Sequence, residues 1–194
     1  MKILSVVFFL CISSCVFGQW QDNFDDAEFS STPTWEGDTV DFIVNSSLQL
    51  QLNAGAAGNS YLSTPSSPNM FSELEWRFFI RQNFSASSGN YGRVYLVSDQ
   101  ADLSGPLNGY YLQFGESLAN DAVELFRQDG SSFVSICRAT DAAIATSFEI
   151  SVKVTRDQIG LWTLWVDYSG GSNYVLESYG AEAMYTSSAY FGVF

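Results

Sequence analysis

Apolar and polar side chains alternate along short segments of this 194-residue chain, and no segment keeps the period of an amphipathic helix. In the segment 74–81 every even-numbered residue is apolar, and three of the four odd-numbered residues are charged. A period of two residues is typical of a strand with one buried face. The pattern therefore predicts that Trp76 and Ile80 face the core and that Glu75 and Arg77 face the solvent.

Further segments have the same alternation or a β-rich composition, and turn-forming residues separate them. Asp129-Gly130-Ser131, for example, predicts a hairpin turn. About a dozen short strands at this spacing are typical of an antiparallel sandwich. The other predicted strands are 41–44, 48–52, 91–98, 109–114, 122–128, 132–137, 148–155, 161–168, 174–177 and 189–194.

Charge and composition exclude several function classes. The chain has 8 Lys and Arg against 21 Asp and Glu, a formal charge of -13, so a basic nucleic-acid surface is excluded. Histidine is absent, which removes Ser-His and Cys-His nucleophiles and His-ligated metal sites. No phosphate-binding loop with a lysine is present.

The N-terminal segment 1–18 has the pattern of a secretory signal peptide. Lys2 precedes an apolar run that is too short to span a bilayer, and Val16-Phe17-Gly18 forms a cleavage site before Gln19. An alternative is that Cys15 ends a lipobox and becomes a lipidated N-terminus. We therefore expect an exported protein with no transmembrane span, secreted or at the cell surface.

After cleavage the chain is a single module, 19–194, with no linker and no internal repeat. Cys137 is then the last remaining cysteine, so no internal disulfide is possible. It lies in an apolar run with no basic neighbour, which predicts a buried structural thiol. The apolar end at Phe194 is typical of a strand that continues, and it predicts a fragment of a longer protein.

Seven segments of the module form one recognisable set, namely 19–26, 33–38, 41–45, 48–50, 60–65, 109–115 and 190–193. Together they resemble a concanavalin A-like (laminin-G-like) jelly-roll module of secreted surface proteins from Bacteroidetes. The resemblance implies an all-β antiparallel jelly roll that continues past Phe194 with a last strand. It also implies downstream lamin-tail, Ig-like or gliding-associated domains. Ala27 stands where relatives often have glycine.

Some concanavalin A-like proteins are endoglucanases, which need two paired carboxylates. The family places its acids on one strand as Glu-x-Asp-x-x-Glu, and the nearest match here is Glu73 with Glu75. That face carries no third acid, and Arg77 follows instead. Opposite charges on one strand face are typical of a solvated surface. The sequence therefore predicts a non-catalytic protein, and glycoside hydrolysis is the less favoured alternative.

An acidic cluster near the start of the module is the candidate metal site. Asp22, Asp25 and Asp26, with Asn23 between them, offer the oxygen ligands that calcium takes. The resemblance implies that such a loop meets ligands from the last strand. The alternative is a solvated acidic turn that leads into a strand.

Some predicted strand faces carry aromatic residues next to planar polar groups. Sugars stack on aromatic rings while polar groups hydrogen-bond to their hydroxyls, so these faces predict a sugar-binding surface. Trp76, Trp162 and Trp165 are instead expected to be core or inter-sheet residues. The candidate ligand-binding residues are Tyr91, Arg93, Tyr95, Tyr111, Gln113, Glu75 and Arg77.

The function that these observations favour is a non-catalytic extracellular module that binds a glycan or a cell-surface ligand within a larger secreted protein. The alternative is a structural spacer without a ligand.

Overall fold

The structure is a computed structural model that describes residues 20–194. The predicted signal peptide and the lipidation alternative at Cys15 lie outside the described residues. Thirteen strands and one short 3₁₀ helix, Thr39–Asp41, make up the regular structure of this part of the chain. The strands are β1 (Glu36–Gly37), β2 (Phe42–Val44), β3 (Leu50–Leu52), β4 (Leu62–Pro65), β5 (Leu74–Gln82), β6 (Gly92–Ser98), β7 (Leu107–Phe114), β8 (Val123–Gly130), β9 (Ser132–Arg138), β10 (Phe148–Arg156), β11 (Leu161–Asp167), β12 (Val175–Ala181) and β13 (Tyr190–Val193).

The strands form two main antiparallel sheets and a separate hairpin. The larger sheet has the order β1-β4-β13-β6-β7-β8-β9, and the smaller sheet has the order β12-β11-β10-β5. Strands β2 and β3 pair only with each other. This arrangement confirms the predicted antiparallel sandwich, and the turn at Gly130, with φ of 58°, confirms the hairpin between β8 and β9.

The main core lies between the two sheets. Tyr110 on β7 and Trp162 on β11 are fully buried, and their ring centroids are 4.7 Å apart across the interface. Along β5, Trp76 and Ile80 pack against this core while Glu75 and Arg77 are exposed, which confirms the predicted orientation of that strand.

Cys137 lies in the same core, as predicted. Burial raises the pKa of its thiol to about 12, so the group stays protonated and unreactive near neutral pH.

The expectation that Trp165 belongs to the core is wrong. Trp162, Leu164 and Val166 are the fully buried positions of β11, so the alternate position 165 lies on the outer face of the smaller sheet. There the Nζ atom of Lys153 stands 4.3 Å from the centroid of the Trp165 ring.

The two edges of the smaller sheet differ. At the β12 edge, Gly180 approaches β9 so closely that an added Cβ atom would lie 2.2 Å from the carbonyl oxygen of Ile136. At the β5 edge, the core-facing side chains Trp76, Phe78 and Ile80 are only half-buried. An open cavity of about 1870 Å³ runs along β5 and the hairpin of β2 and β3.

A second apolar cluster covers part of the outer face of the larger sheet. The loop 99–106 between β6 and β7 folds over this face, where Leu103 and Leu107 pack on Tyr95 and Tyr111. The loop leaves the ends of β6 and β7 near Arg93 and Gln113 uncovered, and the candidate site lies there.

Candidate functional site

The candidate site lies on the outer face of the larger sheet, where β6, β7, β8 and β9 are neighbours. The register pairs Arg93 with Gln113 and Tyr95 with Tyr111, so four predicted site residues lie in two adjacent rows. Tyr111 in turn pairs with Phe126 on β8. Side chains of paired residues point to the same face of a sheet, and this brings these groups together.

An open depression of about 290 Å³, here called the aromatic depression, lies over these rows. Its volume is at the lower end of the range for small-molecule sites. Its walls combine rings, amides and hydroxyl groups, which is the composition of a site that orients a polar ligand. The lining residues are Ser88, Tyr91, Arg93, Tyr111, Gln113, Glu116, Ser117, Phe126 and Phe133.

Arg93 lies at the centre of the aromatic depression and is held by three neighbours. Its Nε atom donates to Oε1 of Gln113 at 3.1 Å. Its Nη1 and Nη2 atoms donate to the hydroxyl groups of Tyr95 and Tyr91, each at 3.4 Å. Gln113 is itself fixed, because its Nε2 atom donates to the carbonyl of Gly115 at 2.9 Å. The guanidinium is therefore positioned by the sheet itself.

Four aromatic rings surround the same guanidinium. Its carbon atom lies 4.6 Å from the ring centroid of Tyr111, 5.1 Å from Tyr91, 5.3 Å from Phe133 and 5.7 Å from Phe194. Cation–π attraction at these distances restrains the side chain. Phe133 keeps 47% of its surface exposed, so one ring remains available for stacking.

Tyr95 and Tyr111 form the base of the site and not its surface. Both are buried, and the hydroxyl of Tyr95 donates to Oε1 of Gln128 at 2.9 Å. Burial raises the pKa of both phenols, most strongly for Tyr111, so both stay neutral at physiological pH. Tyr95 is therefore a supporting residue beneath the aromatic depression.

The acidic residues next to the aromatic depression form ion pairs with Arg138 and not with Arg93. Arg138 on β9 forms ion pairs with Glu116 and Glu124, both at 2.5 Å, and with Asp141 at 2.7 Å. Glu116 lines the depression, but its carboxylate faces this ion-pair network. Arg93 has no such pair within residues 20–194.

The structure does not bring Glu75 and Arg77 to this site. Both lie on the exposed outer face of β5 in the smaller sheet, where they form an ion pair at 2.6 Å. Arg77 also lies 5.9 Å from the ring centroid of Tyr174. The predicted seven-residue set is therefore divided between two opposite surfaces, because a strand pattern gives the face of a strand and not the sheet to which it belongs.

Sequence reasoning missed five lining residues, which are Ser88, Glu116, Ser117, Phe126 and Phe133. A register shift between Leu125 and Phe126 changes the partners along β8 and β9. Phe133, Val134 and Ser135 are all exposed, so β9 begins without clear alternation. The two serines lie in loops, where period carries no information.

The residues predicted to bind calcium are used by local hydrogen bonds. Asp22 accepts from Nε1 of Trp35 at 2.8 Å, Asp25 accepts from Asn23 at 3.0 Å, and Asp26 accepts from the backbone of Glu28 at 3.2 Å. Within residues 20–194 no three acidic or cysteine side chains are grouped to hold a metal ion. In this arrangement each of the three carboxylates has a local hydrogen-bond partner, as the acidic-turn alternative expects, and calcium binding by Asp22, Asp25 and Asp26 stays a prediction.

Comparison with solved structures finds the same architecture in carbohydrate-related proteins. The exoplasmic/lumenal domain of VIP36 in its Ca²⁺/Man-bound form has a TM-score of 0.58 at 12% identity, over 82% of this chain and 73% of that chain. Its Ca²⁺/Man3GlcNAc-bound form has a TM-score of 0.58 at 12% identity, over 86% and 78%.

An engineered GH43 glycoside hydrolase has a TM-score of 0.56 at 14% identity, but the match covers 89% of this chain and only 36% of the enzyme chain. Neither protein-family models nor curated proteins give a match.

These similarities show the fold. Together with the two antiparallel sheets, they establish a β-sandwich of the concanavalin A-like jelly-roll type. Within residues 20–194, no helix has the length and apolar character needed to cross a membrane.

Proposed function

We propose that this chain is a non-catalytic extracellular module that binds a glycan in the aromatic depression, as part of a larger secreted protein. The observation that supports the proposal is the position of Arg93, which is held by Gln113 and four rings on an open sheet surface. Protein sites for sugars combine rings that stack on C–H faces with planar groups that hydrogen-bond to hydroxyls.

The same geometry supports a binding role over a hydrolytic one. Glu116 and Glu124 are in ion pairs with Arg138, and Glu75 is in an ion pair with Arg77 on the other sheet. A glycosidase needs one carboxyl group that donates a proton and one free carboxylate. Since the acids near the depression are tied to a guanidinium, we propose no catalytic step. The solved VIP36 forms hold Ca²⁺, so calcium stays a proposal for this chain, although Asp22, Asp25 and Asp26 are not grouped as metal ligands within residues 20–194.

The likeness to VIP36, whose solved forms hold mannose or Man3GlcNAc, supports a glycan as the ligand class. The test is an array of neutral and acidic glycans probed with the exported chain. We expect binding that Phe133→Ala lowers, because that substitution removes an exposed ring. The matched control is Arg77→Gln, on the opposite sheet, which should leave binding unchanged.

Three outcomes would contradict the proposal. An array without any bound glycan would favour the structural spacer. Equal losses in Phe133→Ala and Arg77→Gln would place binding elsewhere. Release of reducing sugar from a bound glycan would show a hydrolase.

A further inference from the structure

Among residues 20–194, Arg93 is the only basic side chain that lines the aromatic depression. Seven of the eight Lys and Arg residues lie in the described part of the chain. Four of them, Arg77, Arg81, Arg127 and Arg138, form ion pairs with acids. Arg93 forms none within residues 20–194, although acids outnumber bases by 21 to 8. Its positive charge is therefore not neutralised by a neighbouring carboxylate.

The guanidinium also keeps unused hydrogen-bond donors. An arginine has five N–H groups, and three of them have the partners Gln113, Tyr95 and Tyr91. One N–H on each terminal nitrogen is left without a partner among residues 20–194. Two donors on adjacent terminal nitrogens match the two oxygens of a carboxylate, in the bidentate pairing that arginine favours.

The surrounding rings strengthen the pairing of Arg93 with a carboxylate. Tyr91, Tyr111, Phe133 and Phe194 restrict the side chain and displace water from its faces, so a charge that pairs with it meets a lower dielectric than bulk water. Glu116 is the acid that lines the depression, and its pairing with Arg138 offsets the repulsion that it would exert on an anion.

We infer that the aromatic depression selects glycans that contain uronic acids, and that Arg93 is the residue that recognises their carboxylate. This inference rests on the proposed glycan-binding function. In a uronic acid the carboxylate is attached directly to the sugar ring. One residue can therefore stack on an exposed ring such as Phe133 and pair with Arg93 at the same time.

The net charge of -13 opposes the approach of an acidic polymer at long range. At physiological ionic strength this repulsion is screened beyond about 8 Å, so the local pairing at Arg93 decides the preference. Binding should accordingly be weaker at very low salt, where the repulsion of the whole protein reaches further.

The test compares polygalacturonate with the same polymer after full methyl esterification, which removes the charge and keeps the sugar backbone. Affinity is measured by calorimetry at about 0.15 M salt, with alginate as a second acidic polymer. The native chain should bind polygalacturonate or alginate at least about tenfold more tightly than the ester, a difference of about 1.4 kcal/mol.

Substitutions then separate charge from stacking. Arg93→Gln keeps a planar donor without charge, and it should lower the affinity for the acidic polymer by a much larger factor than the affinity for the ester. Phe133→Ala should lower affinity for both polymers by a similar factor. Arg77→Gln is the control on the other sheet, and thermal unfolding of every variant confirms that it is folded.

Equal affinity for the acid and its ester, or an equal loss for both in Arg93→Gln, would overturn the inference. Failure of both acidic polymers to bind, with neutral glycans bound on the array, would also overturn it and leave the proposed function standing. A blank array would instead reject the proposed function together with the inference.

Discussion

The indole rings of Trp76 and Trp162 stack within the smaller sheet, with their centroids 5.6 Å apart and 15° between their planes. Trp162 is fully buried and also contacts Tyr110 of the opposite sheet. Trp76 lies on β5, at the open edge, and is only half-buried. The same contact therefore joins a residue in the middle of the core to one at its margin.

This difference predicts unequal losses of stability. Trp162→Ala should lower the free energy of unfolding by about 3–5 kcal/mol, the range for a buried aromatic truncation. Trp76→Ala should cost less, about 2–3 kcal/mol, because part of its surface is already exposed. Urea unfolding measures both, with Phe71→Ala as a control because 66% of Phe71 is exposed. A larger loss of unfolding free energy in Trp76→Ala than in Trp162→Ala would show that Trp76 does not lie at the margin of the core.

Much of the fold could be predicted from the sequence because alternation is a local property. Strands β5, β6, β10 and β11 each match a predicted segment to within two residues at either end. Pairing between distant strands could not be predicted in the same way. Strand β13 lies between β4 and β6, and nothing in the residues 190–193 specifies these neighbours. β4 and β1 are too short to show a period.

For the candidate site too, the face of each strand could be predicted, but the strands that lie next to each other could not. Alternation put Tyr91 with Arg93 on one strand face and Tyr111 with Gln113 on another, and the structure brings these two faces together. Alternation could not separate them from Arg77, because an outward charged residue has the same pattern in either sheet. The contribution of Phe133 depends on the register shift in β8, which only the three-dimensional pairing reveals.

The turn at Ala27 provides a second prediction. Ala27 has φ of 63°, in the left-handed region that favours glycine, and its backbone N–H donates to the carbonyl of Phe24 at 3.1 Å. A Cβ atom in this region costs about 1–2 kcal/mol, and the larger entropy of glycine in the unfolded chain offsets part of the gain. Ala27→Gly should therefore raise the free energy of unfolding by about 0.5–1 kcal/mol.

The control for that substitution is Ala119→Gly, at an exposed position whose φ is not positive. There glycine should only increase the entropy of the unfolded chain and lower stability. Denaturant unfolding of both variants measures the difference. A loss of stability in Ala27→Gly equal to that in Ala119→Gly would show that the turn at 27 is not strained.

The hydroxyl of Tyr185 donates a hydrogen bond to Oδ1 of Asp129, and this contact predicts a pH dependence. Burial and then the bond to Asp129 raise the pKa of Tyr185 to about 12. Hydrogen bonds from Tyr185 and Arg127 lower the pKa of the Asp129 carboxyl group. The folded state thus favours a protonated phenol and an ionised carboxylate.

The two pKa shifts determine the pH range in which Tyr185 and Asp129 stabilise the fold. The contribution of Tyr185 is complete below its unfolded pKa, near 10, and is lost as the pH rises toward about 12. The contribution of Asp129 is present above its unfolded pKa, near 4, and is lost as the pH falls through its lower folded value. Stability from this pair should therefore be greatest between about pH 5 and 9.

Tyr185→Phe tests this dependence. It should lower stability by about 1 kcal/mol at pH 7, the typical contribution of one hydrogen bond, and the difference from the native chain should shrink above pH 10. Melting temperature measured from pH 4 to 11 gives both curves. Tyr61→Phe is the matched control, because it removes another phenol that is not bonded to Asp129. A constant difference between the native chain and Tyr185→Phe across the range would contradict a role for ionisation.

The open edge of β5 predicts self-association through strand pairing. An exposed strand edge presents unpaired backbone groups to another chain, and here the core-facing residues behind it are half-exposed. The net charge of -13 should keep molecules apart at low salt, and screening at about 0.5 M salt should allow association. Light scattering over a range of protein concentrations should show this dependence on salt.

Phe79→Lys identifies the edge that is responsible. Phe79 lies on the outer face of β5 with 42% of its surface exposed, so a lysine there should prevent pairing without entering the core. Tyr179→Lys is the matched control on β12, whose edge is closed by the approach of Gly180 to Ile136. Association at high salt should fall in Phe79→Lys and persist in Tyr179→Lys. Equal effects of the two lysines would mean that added charge, and not the open edge of β5, controls association.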